Sequence, residues 1–331
     1  MPAMRKLLTA AGMAGAMLLG LAASASGSAA VQHLPAAQQA GCRGARGGFC
    51  RSPAAGPARA AVTTRVLPPT PAAAGRRAPT RPFRVLQLNL CNSGAAACYR
   101  VYGRGQSVVE AYRLMRSTSP DVVTLNEICR VDALDRLLAA MRDNWPGDWV
   151  YASFNPAHDR PTGGPYRCLN GDEYGIGVLG HVPSAKWAGV RAFGDSYPDS
   201  AAGRRTQDTA SDEKRVWLCA YAVGSYYGCT THLESSDRAV AADECRYLMN
   251  QVIRPLRTRP GGASPAVVGG DLNLATGGRG VEDCVPPGWV GAGDGDVQHV
   301  LATAPLAIER TDRIPMRHTD HPAWLVALAA P

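Results

Sequence analysis

The sequence predicts an α/β domain in which β-sheets pack on one another and helices flank them. Three observations predict it. Apolar periodicity alternates between strand and helix from Phe83 to Arg142 and then turns strand-rich to the end of the chain. The amphipathic segments long enough for helices are too few to cover each strand singly, so the strands must also bury one another. No internal repeat of a few tens of residues is visible, which sets repeat architectures aside.

In chain order, Phe83–Leu90 reads as a strand, and Gln106–Thr118 has helical spacing, with Val109, Leu114 and Met115 among its apolar residues. Pro120 stops that helix. The run DVVTLNE, Asp121–Glu127, is a continuous apolar strand of the kind buried on both faces. Val131–Arg142 is a second amphipathic helix, with Leu134, Leu137, Leu138 and Met141 on one side. Strands follow at Trp149–Phe154 and Tyr174–Gly180, and then a polar, Gly-rich loop from His181 to Asp212. Arg215–Leu233 reads as a hairpin turning near Gly224 and Ser225. Ser236–Arg257 is the longest helix, and Pro265–Leu274 is a buried strand that ends in polar residues. Val297–Thr303, Ile308–Ile314 and Ala323–Ala329 close the chain as strands.

Ahead of this domain the composition changes. Arg5 and Lys6 precede an apolar, small-residue stretch, Leu7–Ala22, and Ala23-Ser24-Ala25 supplies an A-x-A site, so residues 1–25 read as a cleaved secretory signal. The stretch is shorter than the roughly 20 apolar residues a membrane span needs. Residues 26–80 are rich in Ala, Gly, Pro and Arg and poor in large apolar side chains, so they read as a disordered linker or pro-segment. Residues 81–331 are enough for one domain with a substantial core. The formal charge of +8 divides unevenly: nine of the 35 basic residues and none of the 27 acidic ones precede Arg81. The domain itself is left with 26 basic against 27 acidic residues, so its charge is no evidence for nucleic-acid binding.

Ten cysteines without a C-x-x-C pair argue against a structural zinc site and fit an oxidising, extracellular compartment. Cys42 and Cys50 lie in the linker, and the other eight allow about 105 connectivities. The hairpin places Cys219 opposite Cys229. A short Cys91–Cys98 loop is plausible too, and of the pairings open to the other four cysteines we favour Cys129–Cys168 with Cys245–Cys284.

Several strands finish in polar residues. RVLQLNL carries Asn89, DVVTLNE carries Asn126 and Glu127, CTTHLES carries His232, VVGGDLN carries Asp271 and Asn273, DGDVQHV carries Asp296, and HTDH carries Asp320 and His321. A single polar residue at a strand end is ordinarily a turn or a satisfied core group. A whole set of hard oxygen ligands and acid–base groups is not. Carboxylate and amide oxygens without clustered thiols suit Mg²⁺ or Mn²⁺, and such an ion takes few carboxylates and leaves room for a phosphate. A histidine beside an aspartate can take a proton from water near neutral pH, and amides with a second histidine can donate to phosphoryl oxygens. The set fits metal-assisted attack of water on a phosphate ester.

From about Arg81 to Ala329 the chain resembles the endonuclease/exonuclease/phosphatase superfamily, the DNase I-like proteins, with the motifs in that family's order. LQLN is similar to its first motif, which implies Asn89 beside the metal. DVVTLNE resembles its D-[IV]-[IV]-x-x-Q-E strand, implying Glu127 as the principal metal ligand, with Asn126 replacing the usual Gln as in sphingomyelinases. TTHL implies His232 on the scissile phosphate. GDLN implies Asp271 to position or activate water and Asn273 to bind phosphate and hold Asp271. DGDVQHVLAT resembles the strand whose Asp pairs with the catalytic His, which implies Asp296. TDHPAWLVAL is similar to the terminal S-D-H-x-P motif, implying Asp320 as a metal-side carboxylate and His321 as the general base. Tyr174 or Glu173 corresponds to a residue near the phosphate, and Arg215 to one that approaches it. His318 lies outside the pattern.

The resemblance implies a four-layer sandwich of two mixed β-sheets flanked by helices. It implies a secreted, monomeric phosphodiesterase using Mg²⁺, Mn²⁺ or Ca²⁺, with DNA or RNA the first substrate and no transmembrane segment in the mature chain. A phospholipid-head-group phosphodiesterase such as a sphingomyelinase, and a phosphomonoesterase, are the alternatives. A non-catalytic binding module on the same fold is the alternative of another class.

Overall fold

A computed structural model of the chain describes residues 61–70, 81–96, 98, 105–276 and 280–329. The signal expected over 1–25 lies outside them, as does most of the linker expected over 26–80. Among the described residues no helix is long and apolar enough to cross a membrane.

Two large mixed sheets pack face to face. One has seven strands, in the order Thr63–Leu67, Asp148–Pro156, Tyr174–Pro183, Val122–Cys129, Phe83–Asn89, Ala323–Ala329 and Ala307–Ile314. The other has six, in the order Trp289–Gly293, Gln298–Thr303, Ala266–Asp271, Tyr226–His232, Val216–Ala222 and Val190–Ser196. Each sheet has one parallel pair at its centre: Phe83–Asn89 beside Val122–Cys129, and Tyr226–His232 beside Ala266–Asp271. Parallel neighbours deliver their C-terminal residues to one edge, and that edge carries Asn89, Glu127, His232 and Asp271.

Alternation along the strands makes three apolar layers. Val85, Val122, Tyr151 and Val178 of one sheet meet Leu218, Ala220 and Val267 of the other. The opposite face of the first sheet, with Leu86, Leu88, Val123 and Leu125, is covered by Val108, Met115, Leu137 and Leu138 of the helical segments 106–118 and 132–144. The second sheet buries Tyr227, Val268 and Leu301 against Ala241, Leu248 and Ile253 of the segments 238–258. Each such large side chain contributes roughly 1.5–3 kcal/mol through burial. The two sheets approach closely near the site because residue 269 is glycine: a Cβ there would overlap the Thr124 hydroxyl. The long expected helices form, with local differences. Leu248–Ile253 and Asp132–Leu137 are π-type turns between regular segments, and Asp237 caps Arg238–Tyr247 through Oδ1, which accepts from the Ala239 and Val240 amides.

All four expected disulfides form. The Cα–Cα separations are 6.2 Å for Cys91–Cys98, 6.2 Å for Cys129–Cys168, 4.0 Å for Cys219–Cys229 and 5.7 Å for Cys245–Cys284. Cys219 and Cys229 face each other in the antiparallel ladder, as the hairpin requires.

Two expectations are corrected, and one further strand was not foreseen. The linker does not run to residue 80 without structure: Thr63–Leu67 adds an antiparallel edge strand to Asp148–Pro156, because the β-branched run TTRVL offers Val66 and Leu67 to the two apolar layers beside it. A chain beginning at residue 61 should therefore melt several degrees above one beginning at residue 81, measured by circular dichroism; equal melting would show that the strand contributes nothing. The stretch from His181 to Asp212 is not all loop, since Val190–Ser196 pairs with Val216–Ala222 at the sheet edge. Trp289–Gly293 is also a strand, paired with Gln298–Thr303. Both are edge strands, half exposed and interrupted by glycine, and so carry a weak apolar period.

At the other end of the Val122–Cys129 strand from Glu127 sits a buried charge cluster. His181 bonds Asp148 through Nδ1 at 2.7 Å and Asp121 through Nε2 at 2.9 Å, and stacks on Trp145 with centroids 3.8 Å apart. Arg81 lies 4.5 Å from the Trp145 ring centroid and also bonds Asp121 at 3.1 Å. Burial works against the imidazolium, but the hydrogen bonds to Asp121 and Asp148 outweigh it and raise the His181 pKa. A histidine whose folded pKa is raised contributes stability that is present below its unfolded pKa of about 6.5 and lost as pH rises through the folded value. The wild type should thus lose stability over that window relative to His181→Gln, by no more than about 1.4 kcal/mol per pH unit. Parallel pH–melting curves for the two proteins would refute the clamp.

Candidate active site

Local backbone geometry, rather than strand alternation, aims Glu127. Between Leu125 and Ile128 the strand carries one residue more than its partner, because Leu125 pairs with Gly177 while Ile128 pairs with Gly175. In a regular strand Glu127 would share the helix-covered face with Leu125. The bulge, with Glu127 at φ 52°, turns its carboxylate out to the strand end. A non-glycine residue at this φ is strained, and such strain collects at functional sites. Asn273 has the same left-handed backbone, at φ 49°.

Asn89 sits between two carboxylates. Its Nδ2 donates to Glu127 Oε1 at 2.8 Å and to Asp271 Oδ2 at 3.0 Å. Burial pushes the Glu127 carboxyl up to about 7, with the Asn89 hydrogen bond opposing the shift and the Asp271 charge adding to it. Asp271 is also raised by burial, against the lowering influence of His321, Asn89 and the Asn273 amide. Asp271 Oδ2 is a meeting point: His321 Nε2 lies 3.6 Å away and His232 Nε2 3.9 Å. Its other oxygen accepts the Asn273 backbone N–H at 3.2 Å, while Asn273 Nδ2 donates to the Leu233 carbonyl at 2.8 Å.

Glu127, Asp271, Asn273, His232 and His321 line one open cavity of about 410 Å³, and Asn89 bonds the first two of them. Tyr174 and Tyr166 form one wall, with ring centroids 5.7 Å apart, and Ser93, Ala95 and Ala96 another. Arg215, His232, Asp271, Asn273 and His321 all reach it. The Tyr174 hydroxyl is held neutral, since burial and then the charges of Glu213 and Glu127 raise its pKa well above the ordinary value. It enters the cavity as a donor. Glu173 turns away to Arg130, 3.2 Å distant, so the residue at the cavity is Tyr174.

The structure separates two expected residues from this centre. Asp296 is exposed and makes no ion pair with His321. The reason is register: Gln298, not Asp296, pairs with Asp271 in the ladder, while the Asp296 amide closes a turn on Asp294 Oδ1 at 2.9 Å. Asp271 is the carboxylate nearest His321. Asp320 stands exposed at the rim, 3.8 Å from His321 Nε2, and the second carboxylate beside Asn89 and Glu127 is again Asp271. His318 belongs elsewhere, its backbone N–H donating to Glu110 at 3.1 Å.

Of the polar layer under the site, sequence reasoning singled out only Asn126. Gln87 Nε2 donates to Asn126 Oδ1 at 2.7 Å, and Gln87 Oε1 accepts from Thr124 at 2.6 Å. Asn126 crosses between sheets, donating to the Thr231 carbonyl at 3.0 Å and accepting the Asp271 N–H at 2.7 Å. Gln298 Nε2 donates to the Pro322 carbonyl at 2.6 Å, next to His321. The signal was available: Gln87, Thr124, Asn126 and Gln298 are polar residues at inward positions of otherwise apolar strands.

The donor set fits a hard divalent cation. A half-buried and a buried carboxylate share one amide, and desolvation raises the pKa of both. A cation between them would offset that desolvation, and their oxygens suit Mg²⁺ or Mn²⁺. Cys91, Cys98 and Glu127 also bring one atom each within 4.8 Å of one another, but those sulfurs are bonded together and offer no thiolate.

No family model matches the chain, and no curated protein does. Solved structures do. The human Nocturnin catalytic domain with bound sulfate anion is 14% identical with a TM-score of 0.53, over 83% of this chain and 99% of that one. ANGEL2, a 2',3'-cyclic phosphatase in complex with adenosine-2',3'-vanadate, is 12% identical with a TM-score of 0.51, over 75% of this chain and 95% of that one. An endonuclease/exonuclease/phosphatase family protein from Bacteroides thetaiotaomicron is 14% identical with a TM-score of 0.50, over 74% of this chain and 97% of that one. The chain therefore has an α/β sandwich of a recognised class. That fold, shared with these solved proteins, is the DNase I-like one.

Proposed function

We propose that this protein is a secreted, divalent-metal-dependent phosphoester hydrolase that cleaves phosphodiesters, with nucleic acid the substrate to test first. The observation that carries the reading is the convergence of Glu127, Asp271, His321 and His232 on one cavity with a tyrosine and an arginine, the two carboxylates being joined by Asn89. The fold's solved relatives named above include a cyclic phosphatase, which supports phosphoester chemistry. The cysteine pairs and the signal-like N-terminus support export.

Glu127 would be the main metal ligand, with Asp271 beside it and Asn89 orienting both. When bound, the ion would draw charge from a phosphoryl oxygen. His321 takes the proton of the attacking water, and Asp271 at 3.6 Å stabilises the imidazolium that forms. His232, Asn273 and the Tyr174 hydroxyl donate to phosphoryl oxygens as negative charge builds there.

A phospholipid head group is the second reading, favoured by Leu169. This side chain is 77% exposed, and the Leu169 backbone N–H bonds the carbonyl of Ser93, a residue of the cavity wall, at 2.7 Å. The deciding experiment presents the purified protein, with Mg²⁺ and again with excess EDTA, with plasmid DNA, RNA and sphingomyelin vesicles. Metal-dependent release of product from one of them supports the reading. Full activity in EDTA removes the metal from it, and no turnover of any phosphoester removes the reading itself.

A further inference from the structure

Resting on that reading of the cavity, we infer that Arg215 is a positioning residue that fixes the tautomer of His232, through a buried carboxylate cluster that holds its guanidinium. Most of the Arg215 donors are engaged within the protein, and only its buried Nε makes no hydrogen bond. Its Nη1 faces His232 Nδ1 at 3.2 Å and Glu213 Oε1 at 3.3 Å, its Nη2 donates to Ser235 Oγ at 3.4 Å, and its Nε lies 3.6 Å from Glu234 Oε2. The backbone is pinned as well: Gln207 accepts the Arg215 N–H at 3.0 Å and donates to its carbonyl at 2.8 Å.

An arginine has no acceptor, so the nitrogen it donates to must carry a lone pair. His232 Nδ1 is that nitrogen, and the ring's proton then resides on Nε2, the atom facing Asp271 Oδ2 and the cavity. Arg215 thereby makes His232 a neutral donor aimed at the phosphate and bars it from serving as an acid. The two histidines divide the work: His321 accepts a proton, and His232 presents one without giving it up.

The carboxylates behind Arg215 keep it in place. Glu234 Oε1 accepts from the Ser236 amide and hydroxyl, both at 2.8 Å, and Glu244 Oε2 accepts the Glu234 N–H at 2.7 Å. Glu244 is fully buried, and its Oε1 has no hydrogen-bond partner. Glu213 lines the cavity beside Arg215, whereas Glu234 and Glu244 do not.

The test reads the tautomer directly, by long-range ¹H–¹⁵N spectra of histidine-labelled protein without substrate, so its outcome is independent of whether any phosphoester is turned over. Wild-type His232 should show the Nε2–H form. Arg215→Met should lose that uniform tautomer and lower kcat on the order of 10-fold to 100-fold, as loss of a group orienting an active-site histidine does, with KM little changed. Arg215→Lys, which still donates to Nδ1, should restore the tautomer and most of kcat. An Nδ1–H signal in the wild type overturns the inference even if the variants fail to fold. So does Arg215→Met with the tautomer intact and KM raised, which would make Arg215 a substrate ligand.

Discussion

Glu127→Gln should lower turnover by on the order of 10³-fold or more while making the metal-free protein more stable. If Glu127 is the charged ligand that holds a cation at the phosphate, as proposed, the amide cannot replace it, and the loss is several kcal/mol. The gain follows from the burial and the Asp271 charge that push the Glu127 carboxyl to about 7. A group whose folded pKa lies above its unfolded value, about 4.3 for Glu, is favourable to the fold only while protonated. Its contribution is full at low pH and is lost as pH rises from the unfolded value through the folded one. In EDTA, the wild type should therefore lose stability relative to Glu127→Gln between about pH 4.3 and about 7. Thermal melts across that range, paired with turnover at saturating Mg²⁺, check both halves. An active variant, or one less stable than the wild type at pH 8, would remove Glu127 from the role.

The second large effect concerns His321. His321→Ala should lower turnover on the order of 10²- to 10⁴-fold, the usual contribution of a positioned base. The acid limb of the pH–rate profile, where a histidine base must first lose its proton, should vanish with it. Asp271→Asn should cost heavily too, and the double variant should lose far less than the product of the single losses, because the pair at 3.6 Å acts as one unit. Asp296→Ala separates register from resemblance: its exposed side chain makes no contact with His321, so turnover should stay unchanged. A large loss in Asp296→Ala, or fully multiplicative losses for His321 and Asp271, would restore the partner that the motif suggested.

Asp296 also shows where sequence reading stops. The residues that announce themselves by chemistry, Glu127, His232, Asp271 and His321, lie at strand ends and do converge, because neighbouring strands in a buried sheet must end near one another. The central strands and the covering helices were legible for a related reason: their apolar periods are long and unbroken. What depends on ladder register was not legible. Asp296 and Gln298 are two positions apart, one in a turn and the other opening the strand, and nothing in DGDVQHV says which of them stands beside Asp271. Likewise, the resemblance gives Arg215 to the phosphate, and only the placement of Glu213, Glu234 and His232 around it reveals a different occupation. The edge strands Val190–Ser196 and Trp289–Gly293 escaped because half-exposed, glycine-broken segments have almost no period to read.

The bulge at Glu127 leaves the chain a single codon away from an ordinary strand. Removing that residue would let Asn126 and Ile128 keep their present faces, with Cys129 still opposite Tyr174, and the ladder would run in step from Val122 to its end. Loss of the principal carboxylate and repair of the sheet would arrive together. A lineage relieved of selection for activity could thus shed the acid and gain stability at one stroke, and inactive homologues shortened at this point are where such a history would be visible.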